Sequence, residues 1–499
     1  MLLTGKAFLI FLHHKTKKMS TINLDQKGIS INGPEFNFIA PNLQSNILKS
    51  HSRDHARLLF LKYTSGVSEV KTWIRSFISQ EKYVVSAMDQ KNDTEAFKQG
   101  IKSKTLANFY ISAKGYAQLG FDTDIFTGVN RQDEEMEDED IQDDEAKKEN
   151  EIIFGNNAFV DGMKSKKINR KLKDPELNMW EQEYTMDIHA MILLADDDAL
   201  RLNTEIDVVK NSLQGVAEII KEEAGDDLTA TLSNGKKIHI EHFGYSDGIS
   251  QPRYFTEDPR TSPVDLQPLS LVLIKDPFTN NDDNNYGSLL VYRKLQQDVE
   301  GFNNSVAKLA ANLSLNTNQE GKITKEDFAG ALTVGRFKDG TPLIKSDIGL
   351  EESPAFNDFK YEHTDRQAHK CPFHAHIRKT NPRGQGILVP EKGRFITRRG
   401  IPYGMTGDPD IGLLFMCFQS NLKRQFNFIQ KTWVNNAGFP PFRGRPGIDP
   451  LIGQGNEGGQ CWPKQYASED EIQFNFAGFI KMRGGEYFFA PSIGFLKNI

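Results

Sequence analysis

The chain has 499 residues, of which 38% are hydrophobic and 26% charged, with a formal net charge of −6. At roughly 100–200 residues per domain this predicts about two to four domains. An aromatic share of 10%, with 34 Phe, excludes wholesale disorder. No run approaches the roughly 18–20 apolar residues that cross a bilayer, the acidic balance argues against a nucleic-acid footprint, and three cysteines (Cys371, Cys417, Cys461) are too few for a disulfide framework.

Near the N-terminus the apolar run Ala7–Leu12 is closed by His13, His14 and Lys15. It is shorter than the roughly 7–15-residue core of a signal peptide and has no small-residue cleavage site. Residues 1–35 therefore read as a tail, with Met19 as an alternative start. A cytoplasmic location is expected, with export left open. Ala56–Tyr63 has the apolar density of a strand. Residues 66–80 read as a helix with Val67, Val70, Trp73, Ile74 and Phe77 on one stripe. Asn108–Ile111 is a second strand, before a short helix that ends near Gly120. Between Asp133 and Glu145, 10 of 13 positions are Asp or Glu. Such a block repels itself and lacks the glycine and terminal Glu of a calcium loop, so residues 127–155 read as an acidic insertion. His189–Ala195 is a strand, and Asp196–Ile220 a long helix with three acids at its positive end.

The second half repeats this order. Leu269–Ile274 and Ser288–Tyr292 read as strands, and 295–313 as a helix striped by Phe302, Val306, Leu309 and Leu313. Ile411–Phe418 is a late strand and Asn421–Val434 a second long helix. Strand–helix–strand followed by strand–helix, present twice, is the order of a ferredoxin-like split βαβ unit. The expected class is α+β: two ferredoxin-like domains, each an antiparallel sheet with helices on its outer face. The first covers 36–235 and the second 236–499.

Three segments of the second half carry chemistry. Gly244-Tyr245-Ser246-Asp247-Gly248 brackets an acid with two glycines, which allow positive φ; alone such a motif is usually just a turn. Cys371-Pro372-Phe373-His374-Ala375-His376 clusters a thiol and two imidazoles, yet structural zinc takes four ligands and no second Cys/His pair is suitably spaced. Arg394–Gly404 is a basic stretch that closes in a Pro/Gly turn.

Together these segments resemble the dye-decolorizing (DyP-type) haem peroxidase family. The likeness rests on the GxxDG loop at 244–248, the run Ala375-His376-Ile377-Arg378-Lys379-Thr380-Asn381-Pro382-Arg383, and Arg398-Arg399-Gly400-Ile401-Pro402-Tyr403-Gly404. Asn42–Leu48 and Gly447–Gly453 resemble the family's N- and C-terminal signatures. The resemblance spans about residues 40 to 495 and all motifs fall in the family's order; the acidic insertion and the extra N-terminal residues depart from it without touching a motif.

The resemblance implies haem b with His376 as the axial ligand, His374 being the competing imidazole. Asp449 is the candidate carboxylate partner of that ligand, and Arg378, Arg383 and Arg398 are candidate cations at the cofactor. Asp247 and Arg398 would be the catalytic pair, acting on hydrogen peroxide by proton transfer and charge stabilisation. A dye or small aromatic reductant would return electrons, with Trp433, Trp462 and Tyr403 as candidate relays against the plainer reading that they are core. The competing functions are a haem-binding or iron-handling protein of slow turnover, and a non-haem metal protein built on Cys371, His374 and His376. The sequence leaves homo-oligomerisation open.

Overall fold

The computed structural model describes residues 21–79, 84–127, 157–258, 266–279, 283–351, 357–384, 393–441, 446–455 and 459–499. The acidic block, the expected insertion beyond Thr127 and the alternative start Met19 lie outside the described residues.

The strands form where Leu, Ile, Val and aromatic residues run together between turn signals. The first half supplies β1 (His55–Tyr63), β2 (Leu106–Ile111), β3 (Ala190–Asp196) and β4 (Ala217–Asp226). A hairpin, β5 (Leu228–Thr231) and β6 (Lys237–Ile240), follows. The second half supplies β7 (Ile274–Lys275), β8 (Tyr286–Gln297), β9 (Thr397–Arg398), β10 (Ile401–Tyr403) and β11 (Gly412–Gln419). The small hairpin β12 (Cys461–Pro463) and β13 (Glu471–Gln473) precedes the last strand, β14 (Ile480–Ala490).

One antiparallel ten-stranded sheet runs β10-β11-β8-β14-β2-β3-β1-β4, with β7 beside β8 and β9 beside β11. Its halves repeat one order: β4-β1-β3-β2 in the first and β14-β8-β11-β10 in the second. They join where Phe489 of β14 pairs with Ile111 of β2. The two end strands also approach each other: a Cβ on Gly225 of β4 would lie 2.4 Å from Ile401 Cγ2 of β10, so only glycine permits this closeness.

The core is continuous through both halves. Phe60 of β1 is fully buried, with its ring 4.8 Å from Tyr292, 5.4 Å from Tyr184 and 6.4 Å from Phe488. Polar groups cross the same interior. Lys294 of β8 donates to Glu223 of β4 at 3.0 Å and lies 2.9 Å from Glu181, while Tyr184 donates to Glu223 at 2.9 Å. A second core gathers the helices Val299–Ala310 and Lys325–Val334 with Ala375 and Trp462. It sits directly beneath the segment that carries His376.

Several expected elements differ. The helix expected over 196–220 spans only Ala199–Ser212. Asp198 caps it by accepting from Leu200 and Arg201 N–H, whereas Asp196 ends β3, fully buried and paired with Arg201. Gly215 (φ +74°) breaks the chain, and 217–226 becomes β4 because β1 offers it a free edge along its whole length. Leu269–Ile274 is a 3-10 turn and the first residue of β7: an apolar run this short can be buried without strand pairing. The helix expected over 295–313 starts after the cap Asp298, since β8 extends to Gln297. In place of a long helix at 421–434 there is one turn, Phe426–Phe428, continued by a π-turn to Val434. The preceding Gln425 side chain accepts from Ser420 and Asn421 N–H, which holds that stretch irregular. Residues 21–35 are not a free tail: Ile29 is buried and its N–H donates to Tyr254 O at 2.9 Å.

Among the described residues no helix is long and apolar enough to cross a membrane. Because Phe60 couples both halves, Phe60→Ala should cost about 3–5 kcal/mol, read as a lowered denaturation midpoint; a midpoint unchanged would refute this role.

Candidate active site

His376 opens a short helix, His376–Thr380, whose N-cap is Ala375. Its Nδ1 lies 2.9 Å from Asp449 Oδ2, and Asp449 has no exposure at all. The turn around Asp449 explains this geometry. Oδ1 accepts from Leu451 N–H at 2.8 Å and Ile452 N–H at 3.0 Å, which leaves Oδ2 for the imidazole. Gly453 closes the turn, and a Cβ there would meet Asp449 O at 2.4 Å. A carboxylate can only accept, so Nδ1 donates to it and the ring presents Nε2 on its other side. No hydrogen bond engages Nε2 among the described residues, and the side chain is 25% exposed. Lys379 braces the opposite side: its buried ammonium donates to the carbonyls of Trp433, Asn436 and Phe439, and burial lowers its pKa to about 7.

Asp247 stands in a loop shaped by glycines at positive φ, Gly244 (+86°) and Gly248 (+73°). Glu241 organises that loop from within. Its carboxylate accepts from Phe243 N–H at 2.9 Å, Tyr245 N–H at 3.0 Å and Gln297 Nε2 at 2.6 Å, and burial raises its pKa to about 7. Arg398 sits on β9, opposite Cys417 of β11. Arg398 Nη1 donates to Asp247 Oδ1 at 3.1 Å and Nη2 to Ser250 O at 3.3 Å. Both members of the pair are about one-third exposed, 32% and 33%.

Arg383 reaches the segment that follows Asp247. Seven residues beyond His376, it donates to Asn357 O at 2.7 Å and to Ser250 Oγ at 3.2 Å, beside the Asp247 loop. Arg336 joins it, donating to Asn357 Oδ1 at 2.8 Å. Burial, then the neighbouring Arg383, lower the Arg336 pKa to about 10, and Arg398 adds to the effect. Three guanidiniums thus gather on one side of the site. Ser250, Gln251, Asn357 and Arg336 were not foreseen from sequence. Ser250-Gln251 directly follows the glycine-bracketed loop, which was the available signal; nothing local marks Asn357 or Arg336.

The other candidates are buried. Arg378 is fully buried: Nη1 donates to Asp365 Oδ2 at 2.9 Å, and the guanidinium stacks 4.2 Å from the Tyr361 ring. It points into the second core and does not line the site. Trp433, Trp462 and Tyr403 are all buried, so none is a surface relay. His374 turns away from His376, with Nδ1 3.1 Å from Pro446 O and its ring 4.2 Å from Trp462; burial lowers its pKa to about 3. Cys371, His374 and His376 therefore do not converge, and among the described residues no cluster of three His, Cys, Asp or Glu side chains could hold a metal ion.

The donor set suits haem. It offers one imidazole nitrogen with its partner nitrogen held by a buried carboxylate, as in peroxidase proximal sites, and guanidiniums of a kind that could meet propionates.

The comparisons decide the family. The description Dyp-type peroxidase, C-terminal, matches residues 243–439. The multifunctional dye peroxidase DyP2 of Amycolatopsis sp. is 35% identical over 92% of this chain and 95% of its own. The chain belongs to the DyP-type peroxidase family. This peroxidase is also similar in structure to a DyP-type peroxidase of Anabaena sp., with a TM-score of 0.81, 38% identity, and coverage of 97% of this chain and 99% of the other. A dye-decolorizing peroxidase solved in complex with 2,6-dimethoxyphenol is 27% identical, with a TM-score of 0.71 over 92% of this chain and 98% of the other.

The burial pattern predicts the thiol chemistry of this peroxidase. Cys371 and Cys417 are buried, and burial raises both thiol pKa values, that of Cys371 to about 11. At pH 8 only the partly exposed Cys461 should react with a thiol reagent in the native state. A second fast-reacting thiol would contradict the burial of the His376 segment.

Proposed function

We propose that this enzyme binds haem b through His376 Nε2 and reduces hydrogen peroxide to water at the expense of dyes or phenolic reductants. The observation that carries the reading is the coexistence of two pairs in one chain, His376–Asp449 and Asp247–Arg398. The haem, when bound, supplies the electrons that cleave the O–O bond and recovers them from a reductant in single-electron steps.

The residues of the chain do the rest. His376 holds the cofactor, and Asp449 fixes its ring and raises its basicity. Arg383 supplies a cationic donor for a propionate. Asp247, as a carboxylate, takes the proton from one peroxide oxygen and returns it to the departing one, so that oxygen leaves as water. Arg398 holds Asp247 Oδ1 and offers its guanidinium to the charge that develops on the departing oxygen. The partial exposure of both groups leaves room for a small oxidant. A relative's complex with 2,6-dimethoxyphenol supports phenolic reductants as the class.

The repeated strand order supports two ferredoxin-like units, 36–235 and 236–499, with the boundary in the β5–β6 hairpin near Gly235. In this reading both catalytic groups and the haem ligand belong to the second unit.

His376→Ala should abolish haem retention, seen as loss of the Soret band after reconstitution, whereas His374→Ala should retain it; the reverse pattern would refute the ligand assignment. Asp247→Asn should keep the Soret band and slow the reaction with peroxide by about 10²–10⁴-fold, measured by stopped-flow absorption. A wild-type rate would remove Asp247 from the proton path.

A further inference from the structure

We infer that Arg399 is a positioning residue for Arg398, and that the N-terminal segment 42–48 is the socket that holds it. The inference rests on the reading of Arg398 as the group facing peroxide.

Arg399 is buried, and its guanidinium reaches only main-chain carbonyls. Nε donates to Asn46 O at 2.7 Å, Nη2 to Ile47 O at 2.9 Å and Nη1 to Arg398 O at 2.7 Å. No carboxylate pairs with it among the described residues. Burial lowers its pKa to about 10, which leaves it charged at neutral pH. A buried charge without a counter-ion is expensive, and an apolar side chain of similar size would remove that cost. The geometry shows what the charge secures. Arg399 N–H donates to Met416 O at 2.7 Å, so its backbone is fastened to β11. Its side chain then grips the carbonyl of Arg398, whose N–H donates to Gln251 Oε1 at 3.0 Å. The peptide unit on each side of Arg398 is thereby fixed, and the Arg398 side chain is presented to Asp247.

The socket is itself prepared. Asn46 adopts φ +66°, which turns successive carbonyls toward one point. Gln44 locks the segment in place, with Nε2 donating to Phe109 O at 2.8 Å and Pro491 O at 2.9 Å, and Oε1 accepting from Phe109 N–H at 2.9 Å. Asn108 Nδ2 adds a bond to Ser45 O at 3.2 Å. The first half of the molecule thus reaches the catalytic strand of the second through one guanidinium.

The test compares Arg399→Gln, Arg399→Lys, Asn46→Val and Arg398→Leu in the haem-loaded protein. The readouts are haem content, the second-order rate constant with hydrogen peroxide and the KM for the dye ABTS. Hydrogen exchange of residues 42–48 is followed in the haem-free protein. Arg399→Gln should lower the peroxide constant about ten- to a hundredfold, with haem content and the ABTS KM unchanged and faster exchange at 42–48. Arg399→Lys, which keeps the charge and one donor, should recover part of the loss. Asn46→Val disfavours the positive φ while sparing the guanidinium; it should give the same loss, and the double variant should lose no more than either single one. If Arg399→Gln does not fold, Asn46→Val decides alone. Wild-type peroxide constants in Arg399→Gln or Asn46→Val, beside a large loss in Arg398→Leu, would overturn the inference. A wild-type constant in Arg398→Leu would instead overturn the reading of the site on which it rests.

Discussion

The site depends first on one buried carboxylate whose two oxygens are both taken up by hydrogen bonds. Asp449 is fully shielded from water, and it is tolerable there because both of its oxygens are engaged: two backbone N–H groups of its own turn on one, the His376 imidazole on the other. That arrangement fixes the tautomer, aims Nε2 outward and leaves the ring no other orientation. The turn that does this requires Gly453, and it is tied to the segment before it by Asp449 N–H donating to Val434 O at 3.0 Å. Lys379 clamps that same segment, so ligand, partner and support form one rigid unit.

The Asp247–Arg398 pair is built on the opposite principle. Arg398, Arg336 and Arg383 bring three guanidiniums together, and Arg398 pairs with Asp247. A cluster of guanidiniums favours anionic groups nearby. The surrounding sheet makes this affordable. Its halves share one core, and its end strands close on each other through Gly225, so the loops that carry the charges start from fixed points.

Much of this was legible because its signals are local. Strand positions near 56–63, 189–195, 288–292 and 411–418 follow from dense apolar runs, and the stripe of Phe302, Val306 and Leu309 is buried as its spacing requires. Asp247, His376 and Arg398 stand out through their motifs, and Asp449 through its own. What failed was decided by partners distant in sequence. Ala217–Asp226 pairs with β1, over 150 residues away, and no periodicity within the segment announces that. Arg378 sits two residues after His376, yet Asp365 and the Tyr361 ring draw it into the core. Asn357, which coordinates two arginines, has no motif at all.

The account stands on the imidazole–carboxylate pair tuning a bound haem. The reduction potential of the haem-loaded Asp449→Asn variant tests this most directly. A neutral amide can no longer draw on the Nδ1 proton as a carboxylate does, so the account predicts a bound haem whose iron potential is shifted upward. A variant that binds haem at the wild-type potential would contradict it.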